Sequence, residues 1–469
     1  MFSTDDTIVA IATPPGRGGI GVVRLSGPLA VEIACVLASR ESFEARHATL
    51  ATIVGPAALP IDEAVVTFFP SPHSYTGDDV IEISAHGSPV VLRAIVAAAM
   101  ARGARLANPG EFTFRAFLNG RLDLVQAEAV ADLVDAVTPL QARVAFDQLE
   151  GTLTSRLRAM DAELLELIAP LEASLDFPDE GYHFVQRAET SAAIRRTLDA
   201  LEGLLADARR GRVIREGLTV AIVGSPNAGK SSLFNRLVGA SRAIVTDVAG
   251  TTRDLLTERV DVAGIPFTLV DTAGLRLTTR DAIEAEGIAR ARQAADAADV
   301  LLVVVDRSRP LSGEDESLLA ETATRRHIVV VSKCDLPEVW HPASLIERPD
   351  PPSTGGQVSG SLVVGARPLV EVSALTDEGV DALRDALIAA TDVEPLRDGA
   401  AVANQRHVAL LDRARAALER AAGAAASGVA EECVLADLHE ARAAFDDITG
   451  VRPQDEVLSL IFARFCIGK

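Results

Sequence analysis

A glycine-rich segment near the middle of the chain has the residue types and spacing of a phosphate-binding loop. The apolar run Leu218–Val223 predicts a strand, the letters GSPNAGKS follow at 224–231, and Ser232–Val238 predicts a helix. This is the GxxxxGK[ST] pattern in the context it requires, in which backbone N–H groups face phosphates at a helix N-terminus. Lys230 is expected to reach the β- and γ-phosphates, and the Ser231 hydroxyl to bind Mg²⁺. A glycine-rich turn arising by chance is the alternative, and this context disfavours it.

Two later segments carry residues that can hold a magnesium ion beside a triphosphate. The letters DTAG at 271–274 follow the predicted strand Phe267–Val270, so Asp271 can hold the Mg²⁺ shell and Gly274 can present its N–H to the γ-phosphate. The letters TDVAGTTRD at 246–254 suit a switch loop that closes on Mg²⁺, with Thr252 as the predicted ligand. In the loop and these two segments, the residues predicted to contact the nucleotide are Asn227, Ala228, Gly229, Lys230, Ser231, Ser232, Thr246, Asp247, Val248, Ala249, Gly250, Thr251, Thr252, Asp271, Thr272, Ala273 and Gly274.

The base-reading element departs from its usual form. The predicted strand Ile328–Val331 leads into the letters SKCD at 332–335, where GTPases usually carry Asn-Lys-x-Asp. Asp335 can accept hydrogen bonds from the N1–H and the N2 amine of guanine, which adenine cannot supply. Because Ser332 makes fewer hydrogen bonds than Asn, we expect weaker guanine affinity with selectivity retained. The residues assigned to the guanine site are Ser332, Lys333, Asp335, Ser373 and Ala374, the last two following the predicted strand Pro368–Val372.

The residues that would drive hydrolysis are less plain. Many GTPases place a Gln after the DxAG glycine to orient the attacking water, but Leu275 stands here and cannot hold a water. Glu284, at the start of the predicted helix Ala282–Ala298, is the nearest suitable carboxylate; a first-turn glutamate favoured by the helix dipole is the alternative. Arg253 is a candidate for an arginine finger that stabilises the transition state, but an ion pair with a neighbouring Asp is the favoured interpretation. A monovalent cation held by Asn227 and switch-loop carbonyls could neutralise the developing charge instead.

Composition limits the class of protein. The chain has 469 residues, 48% of them hydrophobic, with a formal net charge of −21. This charge disfavours a protein that wraps nucleic acid, although a local basic patch remains compatible with it. We find no membrane-span pattern and no secretory leader, and the four scattered cysteines fit a reducing cytosol, so a cytoplasmic location is expected.

The hydrophobic periodicity predicts four parts and a multidomain fold of class α/β plus α. Residues 1–120 predict an α+β domain, 121–215 the first part of a helical bundle, 216–391 an inserted Ras-like P-loop GTPase domain, and 392–469 the second part of the bundle. Strands are predicted at Thr7–Ala12, Gly19–Leu25, Glu63–Phe69 and Asp79–Ala85, long helices over 122–175, 189–210, 402–426, 431–448 and 454–465, and a surface excursion over 336–368.

Four motifs resemble those of one particular family of GTPases. GSPNAGKSS, AIVTDVAGTTRD, DTAGL and the terminal CIGK closely resemble the MnmE (TrmE) family of tRNA modification GTPases. The likeness continues outside the GTPase part, in TIVAIATPPGRGGIGVVRLSG at 7–27, SYTGDDVIEISAHG at 74–87 and NPGEFTFRAFLNGRLDLVQAEAVADLVDA at 108–136. It therefore covers all the predicted parts of the chain.

The resemblance implies a partner and a reaction. Members act as homodimers and form a heterotetramer with a FAD-containing protein, MnmG. Together they add an aminomethyl or carboxymethylaminomethyl group to C5 of the wobble uridine of certain tRNAs, with the one-carbon unit supplied by 5-formyl- or 5,10-methylene-tetrahydrofolate. The resemblance also implies a K⁺ ion that promotes GTPase-domain dimerisation, and it assigns water positioning to Glu284. By motif position, the K⁺ ligands would be Asn227, Thr246, Val248 and Thr251.

The resemblance places a folate site on Arg24, Glu82, Arg121 and Lys469. Glu82 interrupts an apolar strand, where an unpaired carboxylate is costly, and a pterin offers it the same two donors that guanine offers Asp335. Arg24 also interrupts a strand, and a direct pair with Glu82 is the alternative. Arg121 replaces the usual Lys, which keeps the charge but changes the geometry.

Two matters stay open at this level. Cys466 lies in the terminal motif, where packing against an apolar helix end or a role near the folate are both compatible with the sequence. A regulatory GTPase that binds no folate, such as a ribosome-assembly factor, is the competing reading. It would call for a basic RNA-binding domain, and none is visible. The acidic charge predicts that a partner supplies much of the surface that binds tRNA phosphates.

Overall fold

The computed structural model describes residues 5–176, 187–240, 256–271, 293, 295–342, 345, 368–391, 402–451 and 455–468. Contacts group the chain into two compact units. The first contains Met1–Val134, Ala145–Gly203 and Ala409–Lys469, and the second contains Asp135–Val144 and Leu204–Val408. The predicted domain boundaries at 120, 215 and 391 remain predictions. Within the described residues, no helix is both long and apolar enough to cross a bilayer.

The first unit contains a six-stranded sheet within the described residues. Its spatial order is β3-β4-β5-β2-β1-β6, antiparallel apart from the β1–β6 pair. The predicted strands are found with small changes at their ends, whereas β3 and β6 were not predicted because each is short or carries a mixed pattern. The strands are β1 Ile8–Ile11, β2 Gly18–Ser26, β3 Thr49–Val54, β4 Pro60–Phe69, β5 Val80–Gly87 and β6 Arg105–Leu106.

Alternation along β2 and β5 separates the two faces of this sheet. Val23, Leu25, Ile81 and Ile83 are buried in one hydrophobic cluster, together with residues of the first two helices. Since successive side chains of a strand point to opposite faces, the residues between them lie on the other face. This places Arg24 and Glu82 on that face, directly opposite each other in the β2–β5 register.

The predicted helical stretches are found with two differences: 122–175 is divided into three helices, and 189–210 into two that part at Asp207, while most of the predicted helix Ala282–Ala298 lies outside the described residues. Thr138 and Gln141 form reciprocal capping bonds across Pro139, where a new helix begins. Gly151 has a φ of 83°, which ends one helix before the next begins at Thr152. In chain order the helices among the described residues are α1 Ala30–Leu37, α2 Pro89–Met100, α3 Glu111–Leu118, α4 Leu124–Asp135, α5 Pro139–Leu149, α6 Thr152–Asp176, α7 Arg187–Ala206, α8 Ala208–Glu216, α9 Lys230–Ala240, α10 Gly313–Glu321, α11 Val380–Ala389, α12 Gln405–Ser427, α13 Glu431–Thr449 and α14 Asp455–Phe462.

The second unit is built on the mostly parallel sheet that the sequence predicts. Its strand order is β12-β11-β10-β7-β9-β8, with only β8 antiparallel among the described strands. In such a sheet the loops after the strand carboxyl ends lie side by side, and ligands bind there. Most of the predicted excursion at 336–368 lies outside the described residues. The strands are β7 Leu218–Gly224, β8 Leu256–Val262, β9 Ile265–Asp271, β10 Val300–Asp306, β11 His327–Ser332 and β12 Leu369–Val372.

Candidate functional site

The predicted phosphate loop joins β7 to α9. Gly224 ends the strand so close to β10 that a Cβ there would lie 2.4 Å from the Val304 carbonyl oxygen, which explains the need for glycine. Asn227 has a φ of 63°, and its exposed side chain lies at the top of the loop. Ser231 and Ser232 follow in the exposed first turn of α9. The loop therefore leads into a helix N-terminus, where N–H groups favour an anion.

Lys230 is buried beneath this loop. Its Nζ donates to the carbonyl oxygens of Gly224 and Ser225, at 2.7 and 2.8 Å. Burial lowers the pKa of Lys230 below its ordinary value, and the charge of Asp271 opposes that shift. The lysine has three donors, and two of them hold the loop in place. A contact of the third donor with a phosphate oxygen stays a prediction.

A cavity of about 230 Å³ opens beside the loop, at the ends of β11 and β12. The predicted guanine residue Asp335 lines it, together with Lys333 and Ala374. Leu375 also lines it and is 82% exposed, so it presents an apolar face to any ring that enters. Sequence reasoning missed Leu375, although it directly follows the predicted Ser373-Ala374 pair.

Ser332 and Ser373 shape this cavity through their hydroxyl groups. Ser332 Oγ lies 2.6 Å from the Ala228 carbonyl oxygen and 3.1 Å from that of Val305, so it ties β11 to the phosphate loop. Ser373 is fully buried, and its Oγ accepts hydrogen bonds from the backbone N–H groups of Leu375 and Thr376. The shorter Ser at 332 therefore retains a bond to the phosphate loop.

Two supporting side-chain contacts in this unit, one ion pair and one hydrogen bond to a hydroxyl, were not predicted. Lys333 Nζ lies 2.6 Å from Asp306 Oδ2, and Asp306 is buried at the end of β10. Burial alone would raise the pKa of Asp306, but the bonds from Lys333 and Ser308 outweigh it and hold that pKa below its ordinary value. Arg309 donates to the Ser225 hydroxyl in the phosphate loop. The β10–α10 connection therefore supports both the base cavity and the phosphate loop.

Several predicted residues lie outside the described residues. The structure gives no description of the switch segment, most of the DTAG motif, the proposed water-positioning residue or the last residue of the chain. These are Thr246, Asp247, Val248, Ala249, Gly250, Thr251, Thr252, Arg253, Thr272, Ala273, Gly274, Leu275, Glu284 and Lys469.

A second polar site lies on the first unit, around the predicted pair Arg24 and Glu82. Arg24 Nε and Nη2 both bond Glu82 Oε1, at 2.9 and 2.8 Å. The pairing that the sequence left open as an alternative is therefore present. The Arg24 guanidinium also lies over the rings of Tyr75 and Phe112, with its central carbon 5.2 and 5.7 Å from their centroids.

The other predicted residues of this site approach it from two directions. Arg121 is exposed, and its stem packs over Gly77, in the turn that follows Tyr75. The C-terminal segment approaches from the opposite end of the chain, because Gly468 O lies 3.4 Å from Arg24 Nη1. Cys466 is exposed there as a free thiol. The structure thus brings Arg24, Glu82 and the end of the chain together, with Arg121 on the neighbouring turn.

Comparison with known proteins matches both parts of the chain that carry these sites. The family model "MnmE helical domain" matches residues 124–466, and the model "GTP-binding protein TrmE N-terminus" matches residues 7–121. A protein of Koribacter versatilis (strain Ellin345) named tRNA modification GTPase MnmE is 46% identical, with 100% of each chain covered. One of the same name from Chloroflexus aurantiacus (strain ATCC 29366 / DSM 635 / J-10-fl) is 43% identical over 99% of this chain and all of its own. The G domain of the T. maritima FeoB iron transporter is 24% identical over 37% of this chain and 98% of its own, with a TM-score of 0.26, too low to add to the fold.

Proposed function

The chain belongs to the MnmE family of tRNA modification GTPases, and we propose that it modifies C5 of the wobble uridine of certain tRNAs. GTP hydrolysis would drive the addition of an aminomethyl or carboxymethylaminomethyl group, in a heterotetramer with an MnmG-type FAD protein. The observation that carries this proposal is the cavity at Asp335 beside the Lys230 loop, in a chain whose N-terminal part also matches the family.

Within this proposal the nucleotide site works by positioning and charge. Lys230 neutralises the β- and γ-phosphates, Ser231 and Thr252 bind Mg²⁺, and Asp335 reads the guanine edge. Glu284 orients the attacking water, since Leu275 cannot. Asn227, Thr246, Val248 and Thr251 would hold a K⁺ ion, which would supply the charge of an arginine finger and favour dimerisation of the GTPase domains.

The proposed one-carbon donor is a tetrahydrofolate bound to the first unit. Glu82 is supported as its pterin-reading group because both Arg24 bonds end on Oε1, which leaves Oε2 to accept from a ligand. A tetrahydrofolate carries anionic carboxylates, and Arg121 and Lys469 are the cations proposed to meet them. The chain is proposed to act in the cytoplasm as a homodimer, with tRNA phosphates bound largely by the partner because of the charge of −21.

The test of the proposal is nucleoside analysis of tRNA from cells that lack this protein. We expect wobble uridines to lose the C5 substituent and to regain it when the wild-type chain is restored, but not when Lys230→Met is restored. Unchanged wobble uridines in the deleted strain would exclude the proposal and favour a regulatory GTPase.

The cation is tested separately by the rate of GTP turnover in K⁺ and in Na⁺ at equal ionic strength. A sharp drop in Na⁺ is expected, and equal rates would exclude the K⁺ role. Glu284→Ala should slow hydrolysis while leaving GTP binding nearly intact, and a normal rate would favour the alternative of a first-turn glutamate that only interacts with the helix dipole.

A further inference from the structure

The loop that follows β12 forms one wall of the base cavity. Residues 373–377, called here the base loop, contribute Ala374 and Leu375 to the cavity lining. Ser373 Oγ accepts a hydrogen bond from the Leu375 N–H, and the Ser373 carbonyl oxygen accepts one from the Asp377 N–H at 3.1 Å. These bonds set the shape of the base loop, but all of them lie within it. Its position relative to the cavity must therefore be set by other contacts.

Asp377, at the end of the base loop, joins the loop to a helix. Its φ of 69° lies in the left-handed region, which glycine adopts at lower cost than a residue with a Cβ. Its carboxylate pairs with the guanidinium of Arg236 in α9, Nε with Oδ1 and Nη2 with Oδ2. Two parallel contacts of this kind fix the orientation of both groups. The aspartate therefore attaches the base loop to α9.

The helix α9 also contributes to the cavity through its first turn. Ser232 and Leu233 line the cavity. Arg236 follows them by four and three residues, and this spacing places it on the same face of the helix. The same helix begins at Lys230, the residue proposed to contact the phosphates. One helix thus supports the phosphate loop at its start and holds the base loop one turn further on.

We propose that the pair Arg236–Asp377, called here the latch, holds the base loop over a bound guanine and thereby slows the release of the nucleotide. This inference rests on the proposed GTP site. Neither residue is among the described residues that line the cavity, so both are positioning residues that act through Ala374 and Leu375. The side chains of the latch are 37% and 51% exposed, so its effect is modest and sensitive to salt.

The first test needs no nucleotide and follows amide hydrogen exchange of the base loop in the full-length protein. Arg236→Gln and Asp377→Asn should each speed exchange in the base loop. Asparagine also tolerates a positive φ, so Asp377→Asn keeps the turn and removes only the charge. The matched control is Asp381→Asn, which removes the same charge four residues later, where an exposed carboxylate pairs with Arg384. Exchange that is unchanged in both latch variants overturns the proposal.

The second test is the rate at which a GDP analogue labelled on its ribose dissociates, measured by stopped-flow fluorescence. Arg236→Gln and Asp377→Asn should each raise this rate roughly two- to fivefold, and Asp381→Asn should not. The double variant should release the analogue no faster than the faster single variant, because either change alone opens the latch. Effects that multiply in the double variant would overturn the proposal.

The signs of these changes separate the latch from a general effect of charge. Arg236→Gln removes a positive charge and Asp377→Asn a negative one, so a long-range action on the phosphates would change the two rates in opposite directions. The latch predicts that both rates rise. Opposite changes would therefore overturn the proposal.

Salt provides a third test of the same pair. The ratio of the dissociation rates of Arg236→Gln and wild type should fall towards one between about 0.1 M and about 1 M KCl, because salt screens an exposed ion pair. A ratio that does not change with salt would assign the effect to packing of the Arg236 stem and overturn the latch.

Failure of the GTP site itself gives a different result. If the wild-type chain does not bind the GDP analogue, or if Lys230→Met binds it as tightly as wild type, the proposed function loses its nucleotide site. The hydrogen-exchange result would still decide whether Arg236 and Asp377 hold the base loop.

Discussion

The two candidate sites are each proposed to read a ring edge with one carboxylate, yet they are built from different parts of the chain. Asp335 follows a parallel strand, and its surroundings are held largely by main-chain groups of neighbouring loops, including the carbonyl oxygens of Gly224 and Ser225 that fix Lys230. Glu82 lies inside an antiparallel strand and is held by the side chain of Arg24. At the first site a changed side chain should therefore cost only the bonds that it makes itself, whereas a change within the side-chain pair at Glu82 should also displace its partner.

The largest effect is expected from Lys230→Met. The change removes a buried charge that makes two bonds to the loop and is proposed to make one to the phosphates. Since hydrogen bonds to charged groups contribute about 1.5–3 kcal/mol each, GTP affinity should fall by about 100-fold or more. Titration with a fluorescent GTP analogue measures it, with folate binding as the control that should not change. A loss below tenfold would contradict the phosphate role.

The comparison is sharpest when the two carboxylates are changed in parallel. Asp335→Asn should weaken GTP by about 10- to 100-fold and improve xanthosine triphosphate, because the new amide can donate to the oxygen that replaces the guanine amine. Glu82→Gln should weaken binding of 5-formyl-tetrahydrofolate by a similar factor. It should also loosen residues 466–468, because it disturbs Arg24, which contacts the Gly468 carbonyl oxygen. Nucleotide titrations and hydrogen exchange measure these outcomes. If Asp335→Asn bound GTP as tightly as the wild type, with no gain in affinity for xanthosine triphosphate, the guanine role would be contradicted.

The same difference explains how far the sequence predicts each site. Each element of the nucleotide site is a contiguous motif, such as GSPNAGKS at 224–231. The alternation of strand, loop and helix then predicts where each motif lies in the fold. Arg24 contacts Glu82 and Gly468, which lie 58 and 444 positions away in the sequence, and no local pattern relates them. The family resemblance drew attention to Arg24 and Glu82 as a folate site. Their direct pairing was predicted only as the alternative to folate binding. The position of Gly468 depends on its close approach to Ile11 in β1, which the terminal CIGK motif does not indicate.

The side chains that support the base cavity were also not predictable from the sequence. The sequence places Lys333 correctly after β11, but its partner Asp306 ends a different strand, and pairing of strand ends requires knowledge of the strand order. Likewise, the division of 122–175 by Thr138 and Gly151 follows from caps that a hydrophobic period does not record. Main-chain motifs are thus predictable, and the side chains that brace them are less so.

Asp306→Asn should have a smaller effect than either carboxylate change. It weakens the bond that holds Lys333 beside the cavity, and we expect about a tenfold loss of GTP affinity. Because the pKa of Asp306 is lowered in the folded chain, its ionised form stabilises the fold above the unfolded value of about 3.9. That contribution is lost as pH falls through the lower folded value. The gap in free energy of unfolding between wild type and variant should therefore be constant from about pH 8 to 5 and narrow below 4.

Denaturant unfolding at several pH values measures this gap. Asp296→Asn is the matched control, since Asp296 forms an exposed pair with Arg325 in the same unit. It should shift neither GTP affinity nor stability appreciably. A gap for Asp306→Asn that widens on acidification would contradict the sign of the pKa shift.

The smallest effect on GTP affinity is expected at Ser332. This position tests whether the main chain supports the nucleotide site more than side chains do. Ser332→Ala removes one buried hydroxyl that bonds the Ala228 carbonyl, so GTP affinity should fall by only about fivefold, the effect of roughly 1 kcal/mol. Ser332→Asn restores the residue that this position usually carries in GTPases. If main-chain support dominates, Asn should add little, because the serine already ties the strand to the phosphate loop. A gain of tenfold or more with Asn would mean that the serine limits guanine affinity, as the sequence alone suggested, and that side chains matter as much here as they do at Glu82.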